Sequence, residues 1–252
     1  MEFHFGEETI LVNVKNRAAL LAEARSRFRA GEGFALATIN LDHLVKLQEG
    51  GAFLRAYQAQ DLVVADGNPI VWLSKLAGQG VELVPGSDMV LPLTWLAAEE
   101  GVPVGLVGST EAALEAAAEA MRGKVPGLNI VAKVAPPMGF DPEGESAEAV
   151  FAALEEAGAR MVFLALGAPK QELFAARGRA RLPGVGFASI GAGLDFLAGT
   201  QVRAPRWVRM IAMEWAWRML SSPARMVPRY AKCAVILPGH MGRALGMRLR
   251  GR

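Results

Sequence analysis

Six short apolar segments, separated by stretches with helical periodicity, constrain the fold more than any other feature of this sequence. Nearly every residue in them is apolar, and they occupy positions 34–40, 62–65, 103–108, 129–135, 161–167 and 184–191. A strand with one face in solvent alternates polar and apolar residues, whereas a strand covered on both faces does not. The pattern therefore predicts an α/β fold, with a Rossmann-like, doubly wound, mainly parallel sheet and helices on both faces.

Capping residues indicate where three of the intervening helices begin. Side chains of Asn, Asp and Ser accept hydrogen bonds from the first free amides of a helix. The predicted starts are Asn16, Ser87-Asp88 and Ser109. Ahead of them, residues 3–14 predict a small hairpin, to which we assign no chemistry.

The composition changes abruptly after Gly199, where Arg, Trp, Met and Pro become frequent. From residue 203 onward, ten Arg and one Lys stand against a single acid, Glu214, so this stretch carries +10 in a chain of net charge +2. Such asymmetry predicts an anionic partner, either a membrane surface or a nucleic acid. We therefore predict an α/β domain over residues 1–200 and a basic C-terminal appendage over residues 201–252.

The C-terminal appendage is predicted to be helical, with breaks around Pro223, Pro228 and Pro238. Its first helix gathers apolar residues on one side, while its arginines lie largely elsewhere. The apolar set is Val208, Ile211, Ala212, Trp215 and Met219, and the arginines are Arg206, Arg209 and Arg218. An apolar face flanked by Arg can lie among lipid headgroups. A helix packed on the main domain gives the same pattern, and the two interpretations are not exclusive.

Three observations concern location. The single cysteine, Cys233, excludes an intramolecular disulfide, and the first five residues lack the basic start and apolar core of a signal peptide. No apolar run approaches the roughly 20 residues that a membrane-spanning helix needs. These features predict a cytoplasmic protein, peripheral at the inner face of the cell membrane.

Ligands of open α/β sheets bind beyond the carboxyl ends of the strands, so polar residues directly after the apolar segments are candidate site residues. Where the first segment ends, Thr38 and Asn40 are suited to sugar hydroxyls or phosphate. Asp42 and His43 follow, and Asp42 is equally well explained as a helix cap. Thr38 and Asn40 are the stronger candidates.

The second segment ends in Asp66, followed by a turn through Gly67 and Asn68. Asp66 has a structural explanation as a helix cap. As chemistry, a carboxylate at this place removes the proton from an attacking acceptor hydroxyl, which is the general-base step of glycosyl transfer with inversion.

Two further groups are candidates for phosphate and nucleotide contacts. Gly108 and Ser109 lie where a strand runs into a helix N-terminus, whose amides and dipole favour an anion, although the sequence is neither GxGxxG nor GxxxxGK[ST]. Lys170, Gln171 and Glu172 follow another strand. Gln171 can bind a ribose or base, while Lys170 suits phosphate or a solvated surface.

The sequence contains no Asp-x-Asp pair and no His/Cys cluster with zinc spacing. We therefore predict chemistry without a metal or other cofactor, in which cationic side chains or backbone amides stabilise a departing diphosphate.

Six motifs occur along the chain in a characteristic order. They are Thr38-Ile39-Asn40, Ala65-Asp66-Gly67, Val84-Pro85-Gly86-Ser87-Asp88, Gly167-Ala168-Pro169-Lys170-Gln171-Glu172, Gly191-Ala192-Gly193-Leu194-Asp195-Phe196-Leu197-Ala198-Gly199 and Arg203-Ala204-Pro205. Glu214-Trp215, Arg218, Pro223 and Arg225 extend the pattern into the C-terminal appendage. From about residue 5 to residue 229 the chain resembles the WecG/TagA/CpsF glycosyltransferases, which form glycosyltransferase family 26.

Members of that family are inverting enzymes that add ManNAc, ManNAcA or glucose from UDP-sugars to undecaprenyl-diphosphate-linked saccharides. They act in the synthesis of teichoic acid, enterobacterial common antigen and exopolysaccharide. The resemblance, and not the composition, implies a UDP-sugar donor and a polyprenyl acceptor for this chain.

The resemblance also implies roles for individual residues. Asp66 matches the proposed general base, Thr38 and Asn40 match the active-site polar pair, and Gln171 matches a nucleotide-sugar contact. The family's appendage is thought to close over the site, bring arginines to the diphosphate and hold the enzyme to the membrane. The matching candidates are Arg203, Arg218 and Arg225.

One position departs from the family pattern. Leu83 stands where relatives commonly have an arginine shortly before the Gly-x-Asp motif. Either the arginines of the C-terminal appendage take over phosphate binding, or the donor is held differently.

Two functions from other classes compete with glycosyl transfer. A nucleotide-dependent oxidoreductase shares the doubly wound sheet, but the first strand is not followed by GxGxxG. A non-catalytic nucleic-acid-binding module would use the arginines and aromatics of the C-terminal appendage, but its six Met and many aliphatic residues suit lipid better. We therefore predict no nucleic-acid partner, while so apolar a segment is also compatible with packing between subunits of a homo-oligomer.

Overall fold

The computed structural model describes residues 1–251 and confirms an α/β architecture. Two strands, β1 (Glu2–Phe5) and β2 (Glu8–Leu11), pair as an antiparallel hairpin. The main sheet contains β3 (Phe34–Ile39), β4 (Leu62–Ala65), β5 (Val104–Gly108), β6 (Ile130–Val134), β7 (Met161–Ala165) and β8 (Gly186–Ser189). Its order is β4-β3-β8-β7-β5-β6, and all neighbouring strands are parallel.

Twelve helices accompany these strands within the described residues. In the first 200 residues they are α1 (Arg17–Ala30), α2 (Leu41–Leu47), α3 (Gly51–Gln58), α4 (Asn68–Leu76), α5 (Gly86–Glu99), α6 (Glu111–Lys124), α7 (Glu145–Glu156), α8 (Lys170–Arg181) and α9 (Gly193–Ala198). The C-terminal appendage contains α10 (Arg206–Met210), α11 (Glu214–Ser221) and α12 (Pro223–Leu249).

All six predicted strands are present, and five of them are buried along all or nearly all of their length. Every residue of β3, β4, β5 and β8 is buried, whereas β6 at the sheet edge is mostly half-buried. Alternate residues of β3 face opposite sides. Leu36 joins the core under α1 and α5, and Ala37 and Ile39 join the core under α2 to α4. The predicted hairpin within residues 3–14 is also confirmed.

One helix start is as predicted, and two differ. The Asn16 side chain accepts from the Ala19 N–H at 2.8 Å, which confirms it as a cap. Helix α5 begins already at Gly86, so Ser87-Asp88 lie in its first turn, because the extended backbone of Pro85 supplies the N-cap.

The cap of α6 is Thr110 and not Ser109. Thr110 Oγ1 accepts from the Ala113 N–H at 3.2 Å. Ser109 cannot take this role because its backbone is left-handed, with φ of 55°, and its hydroxyl is bonded elsewhere.

The first helix predicted in the C-terminal appendage is two helices, α10 and α11, because Ala212 between them adopts a left-handed backbone with φ of 60°. The break at Pro223 is confirmed, since α12 begins there. Breaks at Pro228 and Pro238 are wrong, because both lie inside the unbroken α12.

Packing explains why α12 continues through two prolines. Its buried residues are Met226, Cys233, His240 and Ala244, which recur at helical spacing and form one seam. This seam packs the helix against α2 and α4, so tertiary contacts offset the hydrogen bonds that the prolines remove. Helix α12 therefore packs on the main domain. The same packing was predicted for the first helix of the appendage, where only Val208 of the apolar set is buried, so that interpretation is not confirmed there. The division of the chain near residue 200 stays a prediction.

None of the helices in residues 1–251 combines the length and the apolar character that crossing a bilayer requires.

Candidate functional site

The carboxyl ends of β3 and β4 lie side by side and bring the first two predicted groups together. The Asp66 N–H donates to the Ile39 carbonyl at 2.7 Å, so Asp66 stands beside the residue that follows β3. Gly67 has φ of 105°, and a Cβ atom there would lie 3.7 Å from the Asn40 Cβ. This left-handed turn carries the chain over Asn40 and into α4, where Asn68 is the first residue.

The Asp66 carboxylate is partly buried and has no hydrogen-bond partner within residues 1–251. Burial raises its pKa to about 6, while the charge of Arg218 opposes this rise. Glu214 and Asp88 raise the pKa further, and Arg203 lowers it. A carboxylate with this pKa is mostly ionised at neutral pH and is more basic than an exposed aspartate, as a general base requires.

Thr38 is buried at the end of β3, with its methyl group 3.1 Å from the place a Cβ of Gly86 would take. Asn40 caps α2, its Oδ1 accepting from the His43 N–H at 3.1 Å. Asn40, and not Asp42, is thus the helix cap. Asn40 therefore has a structural task in addition to the site role predicted for it.

His43 lies beneath the site and not in it. Its Nδ1 is 2.6 Å from the Tyr57 hydroxyl oxygen, and the Tyr57 hydroxyl also donates to the Thr38 carbonyl at 3.5 Å. Burial lowers the pKa of His43 to about 3, so the imidazole is neutral. This pair supports the end of β3 from below.

Gly108 ends β5 and packs on β7, and the next residue, Ser109, bonds to α9. A Cβ on Gly108 would lie 2.4 Å from the Ala165 carbonyl oxygen, so only glycine fits. The Ser109 hydroxyl donates to Asp195 Oδ1 at 2.6 Å, and Asp195 Oδ2 accepts from Gln201 Nε2 at 2.9 Å. Asp195 was not singled out from the sequence, although it lies within one of the quoted motifs.

The Lys170 to Glu172 group opens α8. Gln171 and Glu172 are buried, with exposures of 3% and 0%, and Gln171 Nε2 donates to Glu172 Oε1 at 2.8 Å. Gln171 Oε1 accepts from the Gly191 N–H at 3.1 Å. Burial raises the pKa of Glu172 to about 7. Lys170 is half-buried and forms no ion pair in the described part of the chain.

The structure brings two of the three predicted arginines toward Asp66. Arg203 pairs with Asp88, and Arg218 Nη2 lies 2.7 Å from Glu214 Oε1. Arg225 is exposed, makes no ion pair among residues 1–251 and is not drawn to Asp66.

A second arginine, Arg209, lies 3.8 Å from Asp88; the sequence analysis placed it beside the apolar face of its helix but not among the site residues. Only the acid-poor composition of its segment could have indicated it.

A cavity of ≈ 170 Å³ lies between α5 and α9. Its polar lining is Ser87, Asp88 and Arg203, and its apolar lining includes Phe196. The Arg203 guanidinium carbon is 5.6 Å from the centre of the Phe196 ring. A charged group and apolar walls therefore meet next to the Asp66 region.

Leu83 stands at the edge of this region. The neighbouring Val84 N–H donates to the Ala65 carbonyl at 2.8 Å, which fixes the segment beside the end of β4. The Leu83 side chain is 40% exposed and brings no charge.

Residues 9–252 match the model of a protein family described as "Glycosyl transferase WecG/TagA/CpsF family". The match spans nearly the whole chain and includes both the α/β part and the C-terminal appendage.

Proposed function

Because the chain belongs to the WecG/TagA/CpsF family of glycosyltransferases, we propose that it transfers a sugar from a UDP-sugar to an undecaprenyl-diphosphate-linked acceptor. Family membership makes it a glycosyltransferase of cell-surface polysaccharide synthesis. The proposal adds the donor nucleotide, a sugar of the ManNAc, ManNAcA or glucose type, and the lipid-linked acceptor, in exopolysaccharide or teichoic acid synthesis.

The unpaired Asp66 carboxylate carries the proposal. It lies where β3 and β4 end, and its raised pKa of about 6 suits a base at neutral pH. In the proposed step, an acceptor hydroxyl gives its proton to Asp66 while its oxygen attacks the anomeric carbon. The bond from that carbon to the UDP oxygen breaks, UDP leaves with the electron pair, and the configuration inverts. Thr38 and Asn40 border the reacting sugars.

Arginines of the C-terminal appendage are proposed to stabilise the departing diphosphate. Arg203 is paired with Asp88, and Arg218 is paired with Glu214. A phosphate bound here can replace or share these carboxylates without a large movement of either arginine. Lys170 adds a cation without an acidic partner in the described chain. The amides after Gly108 complete the phosphate environment.

No metal or other cofactor takes part in the proposed step. The sequence contains no Asp-x-Asp pair to hold a divalent ion on the sugar nucleotide. Removal of divalent ions therefore tests this part of the proposal directly.

We propose that the C-terminal appendage lies on an anionic membrane at its cytoplasmic face. Trp207 is 65% exposed and Leu220 is 80% exposed, and both lie in helices flanked by arginines. Large apolar side chains in such a setting favour the headgroup region. The same surface is the candidate for contacts between copies of the chain. Sedimentation of the protein in the absence of lipid tests for such self-association.

The testing experiment measures UDP release from a panel of UDP-sugars, with and without a polyprenyl-diphosphate-linked saccharide. We expect release that needs the acceptor, resists EDTA and is lost in Asp66→Asn. Glu156→Gln, an exposed acid at the end of α7, is the matched control and keeps full activity. No release and no UDP binding with any donor would overturn the proposal.

A parallel assay compares sedimentation with anionic liposomes and binding to single-stranded DNA at matched salt. We expect liposome binding, whereas preference for DNA would favour the nucleic-acid module.

A further inference from the structure

Glu172 lies in the first turn of α8 and is fully buried, and one of its two carboxyl oxygens has no hydrogen-bond partner in the described structure. Its exposure is 0%, and its Oε2 atom is buried without a hydrogen-bond partner among residues 1–251. Burying a carboxyl group with an unsatisfied oxygen costs free energy. A direct contact with substrate does not explain this placement, because no part of the side chain reaches the surface.

The other carboxyl oxygen has a defined task. Glu172 Oε1 accepts from Gln171 Nε2 at 2.8 Å, and Gln171 Oε1 accepts from the Gly191 N–H at 3.1 Å. A flipped Gln171 amide would place a donor against the Gly191 donor and an acceptor against the carboxyl oxygen. Both partners therefore demand the same amide orientation, and Glu172 enforces it from the side away from Gly191.

Gly191 lies in the turn that leads into α9. We call this turn, residues 190–193, the Gly191 turn. A Cβ on Gly193 would lie 3.3 Å from the Ser87 Cα, so the turn packs closely on the start of α5. Helix α9 carries Asp195, which holds Ser109, and Phe196, which lines the cavity. A shift of the Gly191 turn would therefore move several parts of the candidate site together.

We propose that Glu172 is a positioning residue that acts through Gln171 to hold the Gly191 turn, and with it α9, against the candidate site. Gln171 then transmits the constraint from Glu172 to Gly191 and is not primarily a contact to the donor. We call the two hydrogen bonds that join Glu172, Gln171 and Gly191 the relay. Only the kinetic readout of this inference rests on the proposed function.

The Gly191 amide reports the relay without any substrate. Hydrogen exchange of this amide, measured by NMR on the full chain, compares the wild type with Glu172→Gln, Glu172→Ala, Gln171→Ala and the double alanine variant. We expect Glu172→Gln to retain protection, because its amide oxygen still accepts from Gln171. Each single alanine variant should exchange about five- to tenfold faster, as the loss of one hydrogen bond predicts.

The double variant decides whether Glu172 works through Gln171. If it does, the double variant exchanges at the rate of Gln171→Ala, since the second substitution removes nothing further. The inference would be overturned if the increase in exchange in the double variant were the product of the two single increases. Unchanged exchange in Glu172→Ala would overturn it as well. Should Glu172→Ala not fold, Glu172→Met keeps the side-chain volume and serves the same comparison.

Ser74→Ala is the matched structural control. Ser74 is fully buried in α4, where its hydroxyl donates to the Val71 carbonyl at 2.9 Å and accepts from the Val81 N–H at 3.2 Å. Ser74→Ala should lower stability without changing hydrogen exchange at Gly191. If exchange at Gly191 rose as much as in Glu172→Ala, the cause would be a general loss of stability, and the inference would be wrong.

Kinetics supply the second readout. In an active wild type we expect Glu172→Ala to raise KM for the UDP-sugar more than it lowers kcat, with recovery in Glu172→Gln. An inactive wild type would refute the proposed function alone, while the exchange data would still decide the relay.

Discussion

Arg229 of α12 lies 2.9 Å from Asp42 of α2, measured from Nη2 to Oδ2. Lys46 Nζ is also 2.9 Å from the same oxygen. Burial works against ionisation of Asp42, but the charges of Arg229 and Lys46 hold its pKa below the ordinary value. Because α2 starts directly after Asn40, this pair attaches the C-terminal appendage to the helix next to the candidate site.

Replacing Arg229 with Met should lower the free energy of unfolding by about 1 kcal/mol, a small value because the pair is partly solvated. Urea denaturation of Arg229→Met, Asp42→Asn and the double variant measures the coupling. Strictly additive effects of the two substitutions would show that the contact contributes nothing.

The pH dependence of kcat/KM should report Asp66. Burial raises its pKa to about 6, and a general base acts only when ionised, so activity should rise as pH increases through about 6. Asp66→Asn should lose activity by at least about 100-fold across the whole range. An unchanged pH profile in a variant that keeps activity would assign the base elsewhere.

Arg218→Gln should move the acidic limb of that profile upward by about 0.5–1 pH unit, because a positive charge that lowers the pKa of Asp66 is removed. Arg225→Gln is the comparison, since Arg225 is exposed and is not among the charges with the largest effects on the pKa of Asp66. The limb should stay in place in this variant, whatever happens to its KM. Equal shifts in both would point to the net charge of the appendage instead.

Glu172 should make the wild type less stable as pH rises. Its pKa is about 7 in the folded chain against 4.5 for the ordinary group, so between these values the folded state binds more protons than the unfolded state. The free energy of unfolding should fall by about 3 kcal/mol over this window relative to Glu172→Gln, which cannot ionise. Thermal unfolding from pH 4.5 to 8 measures the difference, and parallel curves would contradict it.

Gly108→Ala should destabilise the chain by at least about 2 kcal/mol, because φ is 119° and the new Cβ would meet the Ala165 carbonyl oxygen at 2.4 Å. Gly6→Ala separates the two causes. Gly6 also has a left-handed backbone, with φ of 64°, but open space around it, so about 1 kcal/mol is expected. Similar losses in both variants would show that the contact with β7 relaxes.

The main sheet was predictable because strands buried on both faces leave an unmistakable apolar signal in the sequence. The proximity of Thr38, Asn40 and Asp66 was predictable, since the three residues lie at the carboxyl ends of two neighbouring strands. What the sequence could not supply were contacts between distant elements. Ser109 bonds to Asp195, which is 86 positions away, and no local pattern encodes such a partner.

The helix boundaries show the same limit. A local rule breaks helices at Pro228 and Pro238, but the packing seam of α12 overrides it. The rule for caps placed the N-cap of α6 one residue too early, at Ser109, because the Ser109 hydroxyl bonds to Asp195 of α9 instead.

The contact between the hairpin and α12 joins the first and last elements of the described chain. The Phe3 and His240 rings meet edge to face at 5.7 Å, and Ala244 shares a core cluster with Phe3 and Ile10. Contacts across so large a sequence separation form late, because their loop-closure entropy must be overcome first. During synthesis this corner of the core stays uncovered until α12 has left the ribosome, so folding of the N-terminal hairpin into the core has to wait for a helix made more than two hundred residues later.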